Sequence, residues 1–225
     1  MPKVILSYPR SGSHLCRFFI ELLSENPTFS KFSKKDPPLC LNKYAQDISF
    51  NIDSHTISIK NPHNFNFIHS MDNDIFSRLN QLIVIIRNPR EVLIRHCKGF
   101  IQYNGWDGFD MYFTIIKQYY EFKGKKLLIF YEDMLQDKIG FINQLYNFLD
   151  VNNYNKKKYV LDNLNNLYNL SLNSKNRYWG GNKSNNSIHY YYKNISPDIK
   201  DEFDKYIDKK LSKFPEIKKK YKQLN

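Results

Sequence analysis

Two short stretches of this 225-residue chain, SYPRSGSHLCR at 7–17 and RNPREVLIR at 87–95, hold five of its seven arginines, although lysine outnumbers arginine almost fourfold. Arginine offers a planar, permanently charged fork that grips phosphate through paired hydrogen bonds, whereas lysine acts as a point charge and serves well to solvate a surface. The clustering therefore marks a polyanion site. In the first stretch, Arg10-Ser11-Gly12-Ser13-His14 is a small-residue turn of the kind that lets backbone N–H groups converge on a phosphate at the positive end of a helix. The triphosphate-binding pattern GxxxxGK[ST] is absent, and no acidic strand end for magnesium stands out, which disfavours a conventional kinase or ATPase.

Hydrophobic spacing supplies the elements that must position these loops. Val4 to Tyr8 reads as a short buried strand. Leu15, Phe18, Phe19, Leu22 and Leu23 then recur at helical intervals up to Pro27. Residues 28–55 are polar with little periodicity and read as a loop region over a site. Thr56 to Lys60 alternates as a strand, and Gln81 to Ile86 has the continuous β-branched run of a strand buried on both faces. Pro89 and Glu91 open a second helix, continued by Val92, Leu93, His96 and Phe100. Lys126 to Tyr131 forms a further strand, followed by a helix carrying Ile139, Ile142, Leu145, Tyr146 and Leu149. Beyond residue 150 the pattern is helical, broken by an irregular Gly- and Asn-rich stretch from Asn173 to Ser187. A last helix is opened by Ser196-Pro197-Asp198, with Ile199, Phe203, Tyr206 and Ile207 as its apolar stripe. Repeated strand–helix alternation implies an α/β fold in three layers, a mostly parallel central sheet flanked by helices, with ligands held beyond the carboxyl ends of the strands. Residues 1–225 are expected to form a single domain, since no linker divides them.

SYPRSGSHLCRFFIELL resembles the 5′-phosphosulfate loop of sulfotransferases that use 3′-phosphoadenosine 5′-phosphosulfate (PAPS), and IVIIRNPREVLIRHCKGF is similar to their 3′-phosphate motif. LLIFYEDMLQD resembles the following strand with its Tyr-Glu-Asp, and YYKNISPDIKDEFDKYIDKKLSKF resembles the terminal helix of that family. The resemblance implies a P-loop-like nucleotide-binding topology and PAPS as cosubstrate, with no metal required. It also implies in-line transfer of a sulfuryl group to a hydroxyl or amine of a small-molecule or glycan acceptor.

By that resemblance, the backbone of Arg10, Ser11, Gly12, Ser13 and His14 holds the 5′-phosphate, and Arg10 stands where a lysine commonly stabilises the departing bridge oxygen. Ser13 and His14 replace a Thr-Thr pair. Leu15 replaces a tryptophan that packs near adenine, so stacking must come from elsewhere, with Tyr131 a candidate. Arg87 matches the arginine that binds the 3′-phosphate. Arg95 falls where a serine is common, and two readings stand: a second phosphate contact, or a side chain that snorkels to solvent. Arg90 reads as a surface or helix-face residue, and Arg17 as structural or substrate-facing. Arg177 is a third phosphate candidate, beside Trp179, in a segment that loosely matches one closing over the 3′-phosphate in the family. The acceptor must lose a proton as it attacks sulfur. The family often shows Lys-x-His after the second strand, and here Lys60-Asn61-Pro62-His63 places the histidine one residue later. His63 is the favoured base and Lys60 the sulfuryl contact, with His14 or a carboxylate such as Glu21 as alternatives.

Composition narrows the partners less than the motifs do. A formal net charge of +12 attracts anions of every kind. The lysine runs 156–158 and 218–220 read as solvated helix faces. A metal-dependent nucleotide phosphotransferase is the first alternative, countered by the missing GK[ST]. A basic nucleic-acid or glycan binder is the second, for which no specific nucleic-acid motif is legible. Cys16, Cys40 and Cys97 show neither zinc spacing nor an even count, which points to a reducing compartment. No signal peptide or membrane span is legible, so a cytoplasmic location is expected. The aromatic segment around Tyr103, Trp106 and Tyr112 is expected to line the acceptor pocket together with residues 28–55.

Overall fold

The computed structural model describes residues 3–26, 28–30, 56–60, 79–96, 109–179, 190–193 and 195–222, with the backbone alone at 29–30, 56–60, 96, 172–179 and 190–191. Among the described residues, five strands make one sheet: β1 (Lys3–Ser7), β2 (Thr28–Ser30), β3 (Thr56–Lys60), β4 (Gln81–Ile86) and β5 (Lys125–Phe130). All neighbouring pairs are parallel, in the order β2-β3-β1-β4-β5. The chain leaves β1 toward one edge and returns to the other side of it as β4. The loops that follow β1 and β4 therefore emerge side by side at the carboxyl edge, where sheets of this kind hold ligands.

Ten helices cover the sheet among the described residues: α1 (Ser13–Ser24), α2 (Pro89–His96), α3 (Asp110–Glu121), α4 (Tyr131–Gln136), α5 (Lys138–Leu149), α6 (Tyr154–Asp162), α7 (Leu164–Trp179), α8 (Tyr190–Lys193), α9 (Pro197–Leu211) and α10 (Pro215–Lys222). Side chains alternate along a strand, so a strand covered on both faces must be apolar at every position. Leu82, Val84 and Ile86 of β4, with Val4 and Leu6 of β1, pack against α2, α3, α9 and α10. Ile83 and Ile85, with Ile5, pack against α1, α5, α6 and α7. The expected three-layer α/β fold is what forms. Each fully buried Val, Leu, Ile or Phe contributes roughly 1.5–3 kcal/mol, and β4 donates five such residues to two separate cores.

Several local expectations shift. Residues 28–30, read from sequence as loop, are an edge strand because Thr28 is fastened to α1. Arg17 donates from Nε to Thr28 Oγ1 at 2.7 Å and from Nη2 to the Thr28 carbonyl at 2.8 Å. Glu21 accepts from the Thr28 amide at 3.1 Å and from its hydroxyl at 2.5 Å. Arg17 and Glu21 are both fully buried in this knot, so Arg17 is structural. Residues 173–179, read as irregular, continue helix α7. Among its described side chains, Leu164, Leu167, Tyr168 and Ser171 are buried, at the spacing of one helix face. Tyr131 opens α4 instead of ending β5. The lysine runs are partly engaged: Lys156 pairs with Glu25 at 3.0 Å, and Lys220 with Asp133 at 2.5 Å. Cys16 is buried, and that burial pushes its thiol well above the ordinary range, which makes it a core residue and not a nucleophile.

Arg90 is buried, contrary to the surface role read from its sequence position. Its Nε donates to Asp204 at 2.7 Å and its Nη2 to Asp208 at 2.8 Å, which ties α2 to α9 across 114 residues of chain. Hydrogen bonds to the two carboxylates hold its pKa up against the burial that would lower it. Arg90→Ala is expected to cost about 1–3 kcal/mol, below the figure for a wholly buried pair, because the Asp204 and Asp208 side chains keep 31% and 48% exposure. A thermal melt reads the loss as a lower midpoint, and nucleotide affinity measured below that midpoint is expected to stay near that of the parent.

Candidate active site

The loop between β1 and α1 carries two left-handed residues, Arg10 at φ 69° and Gly12 at φ 91°. Backbones of this kind turn successive N–H groups toward one concave side and suit an anion. Ser11 N–H closes the turn onto the Tyr8 carbonyl at 3.2 Å. Gly12 is the N-cap of α1, no side chain caps that end, and no acidic residue stands in the first turn. An uncapped helix end and its dipole suit an anionic ligand. Gly12 is required for a second reason. A Cβ there would lie 2.5 Å from Cδ2 of Tyr131 and 2.6 Å from the Met134 methyl.

Arg87 follows β4 directly and is almost fully buried. Its Nη1 donates to the Arg10 carbonyl at 3.3 Å, its guanidinium lies 4.3 Å from the centre of the Tyr131 ring, and Nη2 stands 3.7 Å from Glu91 Oε1. The two arginine-bearing loops therefore meet. Burial pulls the Arg87 pKa down and the charge of Arg95 adds to that, against Tyr131, Glu91 and Glu132. Arg95 is thus close enough for its charge to be felt at Arg87.

Asn88 caps α2, its side-chain oxygen accepting the Arg90 amide at 3.0 Å. Pro89 occupies the first helical turn and Glu91 the positive end, as the sequence implied. Beneath this corner, Tyr112 donates its hydroxyl to the Arg87 carbonyl at 2.6 Å, and Asn88 N–H donates to Glu132 Oε1 at 2.9 Å. Tyr112 is buried and also meets Tyr8 edge-on, with ring centroids 5.7 Å apart. It supports the site from inside and does not line an acceptor pocket, which corrects the expectation from sequence. Tyr103 and Trp106 lie outside the described residues.

The sheet register places the remaining candidates. Lys60, Ser7, Ile85 and Ile129 form one row across the carboxyl edge, so Lys60 enters the site region beside the anion loop at backbone level. His63 lies outside the described residues, and Arg177 is described only as a backbone position in α7. Arg10 points its exposed side chain from the loop, while Ser13 and His14 begin α1. Glu132, which accepts the Asn88 amide, was not among the candidates read from sequence. A carboxylate directly after a strand, inside the Tyr-Glu-Asp motif, was the available signal.

Whether these residues suit a phosphorylated nucleotide is decided by unmet polar atoms. Ser7 Oγ, Ser11 Oγ and Arg87 Nε are buried without a hydrogen-bond partner among the described residues. Buried polar groups are nearly always paired. Orphans on the anion loop and on the adjoining arginine fit a ligand with several acceptor oxygens. Among the described residues, no three His, Cys, Asp or Glu side chains gather into a metal-binding cluster, and no helix is long and apolar enough to cross a membrane.

An uncapped helix start, two left-handed loop residues and a buried arginine at the carboxyl edge of a parallel sheet define a phosphate-binding α/β domain without the lysine of the triphosphate loop. Residues 100–215, just over half of the chain, match the family model of the sulfotransferase domain. The chain belongs to the sulfotransferase family. That match covers the Tyr-Glu-Asp motif and α9, and both arginine-bearing loops lie upstream of it. Comparison by sequence with curated proteins finds no match. Among solved structures, the chain is similar to the mouse sulfotransferase SULT7A1 complexed with PAP, at 15% identity and a TM-score of 0.61, over 99% of this chain and 87% of that one. It is also similar to a retinol dehydratase in complex with retinol and PAP, at 15% identity and a TM-score of 0.60, over 93% and 81% of the two chains. These two likenesses establish the fold.

Proposed function

We propose that this chain, acting as a single domain, moves a sulfuryl group from PAPS to a hydroxyl or amine of a small-molecule or glycan acceptor. The observation that carries the reading is the meeting of the two loops, with Arg87 bonded to the Arg10 carbonyl beside an uncapped helix end, in a chain of the sulfotransferase family. Both solved relatives named above are complexes with PAP, the nucleotide that remains when PAPS gives up its sulfuryl group. In this reading the amides of residues 10–14 hold the 5′-phosphate, and Arg87 with Arg95 takes the 3′-phosphate. Arg177 is a further phosphate ligand and Tyr131 flanks the nucleotide. A cytoplasmic location belongs to the same reading and is supported by the odd, widely spaced cysteines.

The acceptor oxygen or nitrogen forms a bond to sulfur as the bond from sulfur to the bridging 5′-phosphate oxygen breaks. The electron pair of that bond leaves on the phosphate of PAP, where Arg10 offsets the developing charge. The acceptor proton passes to His63, and Lys60 holds the sulfuryl oxygens. No metal has a role in these steps, because the transferred group carries less charge than a triphosphate and cations with a helix end stabilise it.

Radiolabelled PAPS incubated in chelator with a panel of hydroxyl and amine acceptors tests the reaction. Label transfer is expected from PAPS, with no transfer from γ-labelled ATP. Phosphoryl transfer from ATP, dependent on magnesium, would replace the assignment with a phosphotransferase. Once an acceptor is in hand, His63→Ala is expected to lower kcat by about 10²–10⁴-fold, the range for loss of a general base, with PAP affinity unchanged. An unaltered kcat would remove His63 from that role.

A further inference from the structure

We propose that Glu132 is a positioning residue for Arg87, acting through the Arg87–Asn88 peptide, and that Tyr112 and Tyr221 complete the clamp. The inference rests on the reading that Arg87 takes the 3′-phosphate. Among the described residues, Arg87's own contacts leave its direction weakly fixed: one long hydrogen bond at 3.3 Å, an ion pair at 3.7 Å and a ring face. A hydrogen bond that fixes direction firmly lies nearer 2.9 Å. The aim of the guanidinium must therefore be set by the backbone that carries it.

That backbone has just left the sheet. The β4–β5 register ends at Ile86, so the Arg87 carbonyl and the Asn88 amide need partners beyond it. Tyr112 from α3 donates to the carbonyl at 2.6 Å, and Glu132 from α4 accepts from the amide at 2.9 Å. One peptide plane is thus held on both sides by side chains from different helices. The second oxygen of Glu132 accepts from the Tyr221 hydroxyl of α10 at 3.3 Å. Tyr112, Glu132 and Tyr221 are all fully buried.

A carboxylate is a costly choice for satisfying one amide in a core. Burial raises the Glu132 pKa, and the Asn88 amide, the Arg87 charge and the Tyr221 hydroxyl act against that rise. The neighbouring residue shows what the position is for. Tyr131 packs beneath Gly12 and under the Arg87 guanidinium, so residues 131 and 132 brace both phosphate loops from a single turn. Lys220, one residue before Tyr221, pairs with Asp133 and holds α10 against the same turn.

The test measures affinities for PAP and for 5′-AMP, which lacks the 3′-phosphate, on the parent, Glu132→Gln, Tyr112→Phe, Tyr221→Phe and Arg87→Ala, with thermal midpoints alongside. Glu132→Gln and Tyr112→Phe are expected to weaken PAP roughly tenfold, as a small misplacement of a binding group does, with 5′-AMP changed less than about twofold. A purely structural role would lower the midpoint and weaken both nucleotides together, leaving their ratio intact, and that result overturns the proposal. Should Glu132→Gln fail to fold, the two Tyr→Phe variants, each lacking one hydroxyl, carry the same ratio. If Arg87→Ala loses the preference for PAP while the Glu132 and Tyr112 variants keep it, the clamp is wrong and the Arg87 reading stands. If the parent shows no preference, the Arg87 reading itself falls.

Discussion

Arg87→Ala is expected to weaken PAP binding by about 10²-fold while leaving 5′-AMP within a few-fold of the parent. A charge-assisted hydrogen bond contributes about 1.5–3 kcal/mol and a factor of ten in affinity corresponds to about 1.4 kcal/mol, so losing a forked contact to a phosphate gives this magnitude. The side chain is almost fully buried, its Nε has no partner among the described residues, and the charge of Arg95 is felt there. The burial keeps water from screening the contact. Arg87→Lys retains the charge and loses the fork, and is expected to fall between the two. Titration calorimetry reads all three proteins. Unchanged PAP affinity in Arg87→Ala would mean that this arginine serves the core alone.

The second large effect is expected from Gly12→Val. At φ 91° an L-residue with a branched Cβ carries a backbone penalty of roughly 1–2 kcal/mol. The added carbon would overlap the Tyr131 ring at 2.5 Å and the Met134 methyl at 2.6 Å, which adds about 1–3 kcal/mol of overpacking. Tyr131 cannot retreat freely, because the Arg87 guanidinium lies against its ring. The sum, about 2–5 kcal/mol, corresponds to a fall in the melting midpoint of roughly 4–20 °C for a chain of this size. Unlike Arg87→Ala, this variant is expected to weaken PAP and 5′-AMP alike, since the loop serves the 5′-phosphate that both share. A midpoint within about 1 °C of the parent would contradict the close approach of the loop to α4.

Much of this was legible in the chain, and the exceptions have a common cause. The strands 56–60 and 81–86 form where alternation and a β-branched run place them, because both signals are local. The clustering of arginines singled out two loops that do meet, through Arg87 and the Arg10 carbonyl. Arg17 and Arg90 have other duties, decided by partners that periodicity cannot show: Thr28 across a turn, and Asp204 and Asp208 more than a hundred residues away. Tyr112 looked like a ligand-facing aromatic because its hydroxyl partner, the Arg87 carbonyl, comes from another element. Helix α7 was cut short in the sequence reading because asparagine and serine have weak helix propensity, although its Leu164, Leu167, Tyr168 and Ser171 spacing was already helical. Glu132 stood in plain view inside a motif, but its role depends on an amide 44 residues upstream.

The most direct test of the central claim is calorimetric titration of the unaltered protein with PAP, 5′-AMP and ATP in chelator at moderate salt. PAP is expected to bind at least about tenfold more tightly than either competitor, since it alone offers both phosphates to the two loops. Equal affinity for PAP and 5′-AMP, or tighter binding of ATP, would contradict the assignment of Arg87 and Arg95 to a 3′-phosphate and with it the use of PAPS.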